Sequence, residues 1–442
     1  VVDVAVTPPP GPTLVLRFAD VGIATYGSLR VVGDPSRTVT WVVPVPLVLT
    51  ALAELRRALP EPYGGEDQQA ALERAVTRGP FASPAGELEL AYILGVLLVS
   101  TPAWELLVDM VASPRAALFV TPSARLAAVP WALLAVPKSG PSTEELVRAR
   151  AEAMAASGPE AARIDWQLGD MDALTDGYRL MELVDVMMAV PPNIVHAPRV
   201  PAGWLDRCCA PPLLVLDPRV PGQRPDSALG SVLGRPGEHT LLSRHFGELM
   251  RSGPVLPGVA TPVELFRRRD ADRAWLARLL AESPSRLLFV GHASGAGSRA
   301  DAAGMHLAEP DPFTAAEVIA SGYPMPPRVG LLACASGGDY RFDEATGLVA
   351  AMVLRGAQTV TATLWSLPTT AGFRRYGTAG AGDADPMAEL VTAVDTAHTA
   401  QDPARSVDRW AREQMRRWRD GDLSASPLYW AALVTFAVDG TR

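Results

Sequence analysis

At 442 residues the chain is long enough for two or three domains, or for one large core with embellishments. A hydrophobic share of 48% against 20% charged residues is that of a soluble globular protein, and a net charge of −8 argues against nucleic acid as a main partner. Three cysteines, Cys208, Cys209 and Cys334, are too few for a disulfide framework and fit a reducing cytoplasm. There is no CxxC, no HExxH and no His/Cys cluster at ligand spacing, so neither a metal nor another cofactor is expected.

The opening "VVDVAVTPPPGP" lacks a basic start followed by an apolar stretch, so no secretory leader is expected there. "TLVLRFAD" alternates with period two and reads as a strand, and residues 46–60 read as a helix closed by Pro60. Helices are expected at about 67–77 and 87–110, the second broken at Pro102. Its apolar run "LAYILGVLLV" is roughly half of the ~20 residues a membrane span needs, which makes it a buried helix. Residues 137–177 are polar and helical, with Ser142 and Glu145 as a capping box, and read as an insertion. "NIVHAP" and "PLLVLDP" read as short buried strands, and a Gly/Pro/Arg-rich loop covers about 219–238.

From residue 261 the pattern becomes regular. "TPVELFRRRDADRAWLARLLAESPS" reads as helix, with Arg267–Asp270 on a solvated face, and is followed by the strand "RLLFVGHASG". A short strand and a helix capped by Thr314 and Glu317 come next, then the strand "RVGLLACASGG". A helix stopped by Gly356 and the strand "AQTVTATLWS" complete the run. Strands alternating with helices of about ten residues imply an α/β fold with a mainly parallel sheet sandwiched by helices. The boundary falls near 212, separating a divergent N-terminal part (1–211) from the core (212–442). Ligands and catalytic groups of such sheets gather at the carboxyl ends of strands.

Two of these strands end in a reactive residue within a small-residue loop, His292 in one and Cys334 in the other. A strand-end cysteine is ordinarily buried ballast. If the two strands are neighbours, however, the side chains approach across one crevice about 5 Å wide. A cysteine nucleophile needs a base beside it, and histidine is the usual choice. The amides of Ala293 and Cys334 lie in loops where they can face a developing oxyanion. His306 falls in a hairpin after the first loop. His196, His239, His245 and His398 read as surface or packing residues, and Cys208 and Cys209 as structural.

The order and setting of His292 and Cys334 resemble the caspase-like cysteine peptidases, the clan of caspases, separases and gingipains, and more closely its CHAT domains. "FVTPSARLAAVPWALL", "MHLAEPDPFTAAEVIASG", "LVAAMVLRGAQTVTATLWSLP" and "SPLYWAALVTFAVDG" resemble successive segments of that family, so the likeness runs from about Leu88 to Gly440. The resemblance implies a metal-free endopeptidase with Cys334 as nucleophile and His292 as general base, acting on one or a few protein targets. It also implies a regulated effector in bacterial defence or cell death, with a sensor protein encoded separately.

Departures from the family are specific. Ala293 stands where glycine usually follows the histidine, and the acid that usually follows "LW" is replaced by "SLPTT". Leu332, Asp339 and Trp365 are the candidates to line the substrate pocket, with cleavage after Arg or Lys and cleavage after a small or apolar residue both open. A catalytically silent scaffold that binds protein partners is the alternative.

Overall fold

The structure, a computed structural model, describes residues 11–113, 115–138, 148, 151, 170–223, 230–234, 237–294, 302–334, 336–337, 347–377 and 384–438. The helix expected after Ser142, the stretch after Ser294 and Asp339 therefore lie outside the described residues. The chain forms two compact units, each assembled from separated segments. One comprises Val1–Ala51, Ala91–Pro122 and Trp131–Met187; the other comprises Leu52–Leu90, Ser123–Pro130 and Met188–Arg442.

In the first unit, β1 (Thr13–Asp20) turns Leu14, Leu16 and Phe18 inward, as its alternation requires. It pairs antiparallel with β2 (Ala24–Val31), which pairs antiparallel with β3 (Asp34–Pro44). Gly27 on β2 faces Trp41 on β3, and a Cβ there would lie 2.3 Å from the indole ring. The indole crosses the strand in that gap, donates to Leu98 O at 2.9 Å and meets the Phe18 ring edge-on. On the other side β4 (Ala117–Thr121) runs parallel to β1, and a small pair, β5 (Ala135–Pro137) with β6 (Thr175–Arg179), lies beside Lys138. The strand β7 (Asp185–Ala189) follows, its Asp185 N–H bonded to Ala116 O. "NIVHAP" is not a strand: Pro191 and Pro192 start a helical turn over Pro192–Val195, where missing N–H groups cost nothing.

The helix pair Pro84–Leu98 and Thr101–Asp109 is bent by 109° at the predicted break, with Pro102 in the first turn of the second helix. Among the described residues no single helix is long and apolar enough to cross a membrane.

The second unit is built on β8 (Leu213–Leu216), β9 (Arg286–Val290), β13 (Arg328–Leu332), β14 (Thr359–Thr363) and β15 (Leu433–Ala437), with β10 (Ala293–Ser294), β11 (Gly304–Met305) and β12 (Phe313–Thr314) forming a separate small sheet. The spatial order is β15-β14-β13-β9-β8. The first four in chain order run parallel, while β15 is antiparallel to β14 and also pairs, at Phe436 and Ala437, with Met188 and Ala189. Every residue of β9, β13 and β14 is buried; after their opening Arg286 and Arg328 the first two read as unbroken apolar runs, while β14 alternates Thr with Val and Ala. Flanking helices include Ala315–Ser321, with the predicted Thr314/Glu317 capping box, and Leu348–Leu354, which ends before Gly356. The helix expected from residue 262 is split. A short 3-10 turn at Pro262–Leu265 gives way to a loop holding Arg267–Asp270, and the helix starts only at Arg273, capped by Asp272. Arg267–Asp270 is thus no helix face, because Arg267 adopts a positive φ and turns to Asp217.

The opening ends of β9 and β13 carry a buried polar staple. Arg286 and Arg328 lie directly side by side, a like-charge pairing that needs compensation. Arg286 meets the Asp395 carboxylate, which His245 also bonds at 2.9 Å. Arg328 donates to the carbonyls of His398, Ala400 and Gln401, and its guanidinium lies 3.4 Å over the Trp204 ring. His245 and His398 are packing residues of this staple. Cys208 and Cys209, read as structural, are instead exposed on the turn before β8.

Candidate active site

The parallel register sets Val290 opposite Leu332, and the Gly291 N–H donates to Leu332 O at 3.2 Å. His292 and Cys334 each follow two residues after this pair, on adjacent strands about 4.8 Å apart. The sheet thereby delivers both residues to the same level at its carboxyl edge.

A dense set of bonds fixes the Cys334 turn. Ser336 Oγ donates to Leu331 O at 2.6 Å and accepts from the Thr363 N–H at 3.1 Å, while the Gly337 N–H donates to Thr363 O at 2.9 Å. A Cβ on Gly337 would press within 3.1 Å of Val434 and 3.3 Å of both Ala362 and Thr363 O, so any larger residue would push these neighbours back by a few tenths of an ångström. Cys334 itself is half-buried. Burial pushes its thiol above the ordinary value, opposed by the Ser366 hydroxyl and by the N–H groups of Ala293 and Cys334, all of which turn toward the sulfur; the Glu61 carboxylate nearby raises it further.

His292 is buried, and its Nε2 lies 2.7 Å from Gly230 O. A carbonyl only accepts, so Nε2 carries the hydrogen and Nδ1 is the ring's basic nitrogen. Sequence reasoning missed Gly230, because a main-chain acceptor leaves no residue-type signature. Its loop is tied down by Asp217, which follows β8 and is fully buried: Oδ2 accepts from Ser231 Oγ at 2.6 Å and from the Val232 N–H at 3.2 Å. Arg267 bridges Asp217 and Gly230 O at 3.1 and 3.4 Å.

Ala293 opens the two-residue strand β10 (Ala293–Ser294), paired with β11 (Gly304–Met305), which pairs in turn with β12 (Phe313–Thr314). His306 follows β11 as expected, its N–H bonded to His292 O and its Nε2 to Ser294 Oγ. Burial and then the neighbouring His292 hold the His306 imidazole below its ordinary value.

The pocket candidates fare differently. Leu332 and Trp365 have no exposed surface, since both belong to the packed core; Trp365 donates to Leu428 O at 3.0 Å and packs near Phe81. Neither side chain presents a wall to a ligand. Asp339 lies outside the described residues. Instead the segment after Trp365 meets a carboxylate from far away in the chain: the Ser366 N–H donates to Glu61 Oε1 at 2.8 Å. Among the described residues no group of three or more His, Cys, Asp or Glu side chains is placed to hold a metal ion.

The sequence model of the CHAT domain family matches residues 97–437. The chain belongs to the CHAT domain family. That match covers nearly the whole span over which the sequence resembles it, and it places the mainly parallel sheet and its flanking helices in the caspase-like class. No curated protein sequence matches the chain. Matching solved structures include two of the separase–securin complex of Saccharomyces cerevisiae. One, at 3.0 Å resolution, has 11% identity and a TM-score of 0.43; the other, at 2.6 Å, has 10% identity and a TM-score of 0.37. Both comparisons cover 96% of this CHAT chain but only 30% of the solved chain.

Proposed function

We propose that this CHAT protein is a cysteine endopeptidase in which Cys334 and His292 form the catalytic dyad. The observation that carries the reading is the register of β9 against β13, which sets the two residues at equal offsets beyond a hydrogen-bonded strand end. Cys334 Sγ attacks a peptide carbonyl carbon as its proton passes to His292 Nδ1. The carbonyl oxygen, now an oxyanion, is met by the N–H groups of Ala293 and Cys334. When the tetrahedral adduct collapses, the C–N bond breaks and the departing amine takes the proton from His292. Water then hydrolyses the thioester, with His292 again the base. Gly230 O does the orienting here, holding the imidazole in the tautomer that leaves Nδ1 free to accept a proton.

Burial raises the thiol above its ordinary value, which disfavours a standing thiolate and suits His292 to the role of base during attack. That is suited to a regulated enzyme that acts on one or a few protein targets and is released by a separate sensor protein, as in bacterial defence or cell-death systems. The test is cleavage of a diverse peptide library by the wild-type protein, Cys334→Ala and His292→Ala. Cleavage abolished by either substitution supports the dyad; cleavage that survives Cys334→Ala overturns it.

A further inference from the structure

The thiol is flanked from two directions. On the β9 side stand His292 and the Ala293 N–H; on the β14 side stands Ser366, whose N–H is bonded to Glu61. Glu61 is held at both ends. Arg74, itself almost fully buried, donates to the carbonyls of Arg57, Leu59 and Glu61 at 2.8, 3.1 and 3.1 Å and is neutralised by Glu66. The same guanidinium stacks over Tyr63, and Gln68 bonds Pro60 O. One buried arginine thus shapes the whole 56–66 segment, so that the Glu61 carboxylate reaches a residue 305 positions away in sequence. That is a preorganised acid beside Ser366 and near the thiol.

We propose that Glu61 is the specificity-determining carboxylate of this cleft, selecting a basic residue, arginine or lysine, at the position whose carbonyl Cys334 attacks. The proposal rests on the peptidase reading and names its substrate class. A substrate carbonyl seated on the amides of Ala293 and Cys334 brings its own residue over the sulfur. With the β9 side taken by His292, the side chain passes toward β14, Ser366 and Glu61. A guanidinium or ammonium there gains a charge-assisted hydrogen bond to a carboxylate, which an apolar side chain cannot make. The same contact has a second effect. Glu61 lies near enough to the thiol to disfavour its ionised form, so a cation that neutralises Glu61 eases thiolate formation as it binds. Recognition of the side chain and activation of the nucleophile then share one group.

The decisive variant is Glu61→Gln, which keeps an oxygen to accept the Ser366 N–H while removing the charge. Cys334 alkylation by iodoacetamide is followed in the wild type and in this variant, alone and with benzamidine or its neutral counterpart benzamide. Benzamidine is expected to change the wild-type rate while benzamide leaves it unchanged, with the difference lost in Glu61→Gln. In peptide cleavage, the preference for Arg or Lys over Gln should fall by about tenfold or more in Glu61→Gln, the effect of losing one charge-assisted contact. An equal response to both ligands, or a basic preference untouched by the substitution, overturns the assignment. The alkylation arm needs no turnover, so failure of all cleavage tells against the peptidase reading alone.

Discussion

Gly230 O accepts from His292 Nε2 at 2.7 Å, and the carbonyl is itself held through the buried Asp217. The orientation of the histidine therefore depends on a carboxylate it does not touch. Asp217→Ala is expected to lower stability by about 3–5 kcal/mol, because it leaves the Arg267 guanidinium without its partner. Asp217→Asn, which keeps shape and hydrogen-bonding capacity, should lose about 1–3 kcal/mol. Urea unfolding checks both. On the proposed Cys334–His292 dyad, kcat in the Asn variant should fall more than KM rises, since binding groups are untouched while the proposed base is loosened.

The second expectation concerns Cys334. With burial and Glu61 raising its thiol, the alkylation rate of the resting protein should climb with pH and reach its midpoint above 9.0, the ordinary value against which the thiol is raised. Mass spectrometry of the labelled peptide reads this directly. A plateau already reached below the ordinary thiol range would show a standing thiolate, contrary to the arrangement described here.

A third expectation follows from the staple beneath the sheet. Burial pushes Asp395 up, yet the His245 hydrogen bond and Arg286 outweigh it and hold the carboxyl below its ordinary 3.8. Its contribution is full above that value and lost as pH falls through the lower folded value. Asp395→Ala leaves Arg286 buried beside Arg328 without compensation and should cost about 3–5 kcal/mol in urea unfolding at neutral pH.

His398 gives the clearest pH signature. Burial first, then Arg286 and Arg328, lower its imidazole from 6.5 to about 3, and its Nε2 is bonded to Thr361 Oγ1 at 2.8 Å. The unfolded chain therefore takes up this proton first. The contribution is complete above 6.5 and declines between 6.5 and 3, at up to about 1.4 kcal/mol per pH unit. His398→Gln removes the titration but not the polar contact. The slope of stability against pH should flatten in that window, measured by thermal unfolding across a pH series.

What the sequence revealed and what it hid follows from how each feature is encoded. The strands ending in His292 and Cys334 were legible because fully buried strands read as apolar runs and small residues mark their ends. Their adjacency was an expectation that the β9–β13 register meets. Leu332 and Trp365 were misplaced as pocket residues for the same reason: nearness in sequence to a reactive residue says nothing about which face a side chain takes, and both faces here are covered. "NIVHAP" has the composition of a strand, but two prolines decide the local backbone. Arg267 left the expected helix because a buried Asp217 competes for it. Glu61 was invisible. Nothing in "EPYGG" points to Ser366, and only the path set by Arg74 joins them.

The position of β15 has a consequence for synthesis. This strand sits inside the sheet, with β14 on one side and Met188 and Ala189 on the other, yet it leaves the ribosome well after β14. A nascent chain that has released both His292 and Cys334 still exposes the unpaired backbone edge of β14 until Leu433–Ala437 emerges. Such an edge is a template for stray pairing with other chains. Translation arrest before those codons would therefore yield a polypeptide prone to associate through its open sheet edge.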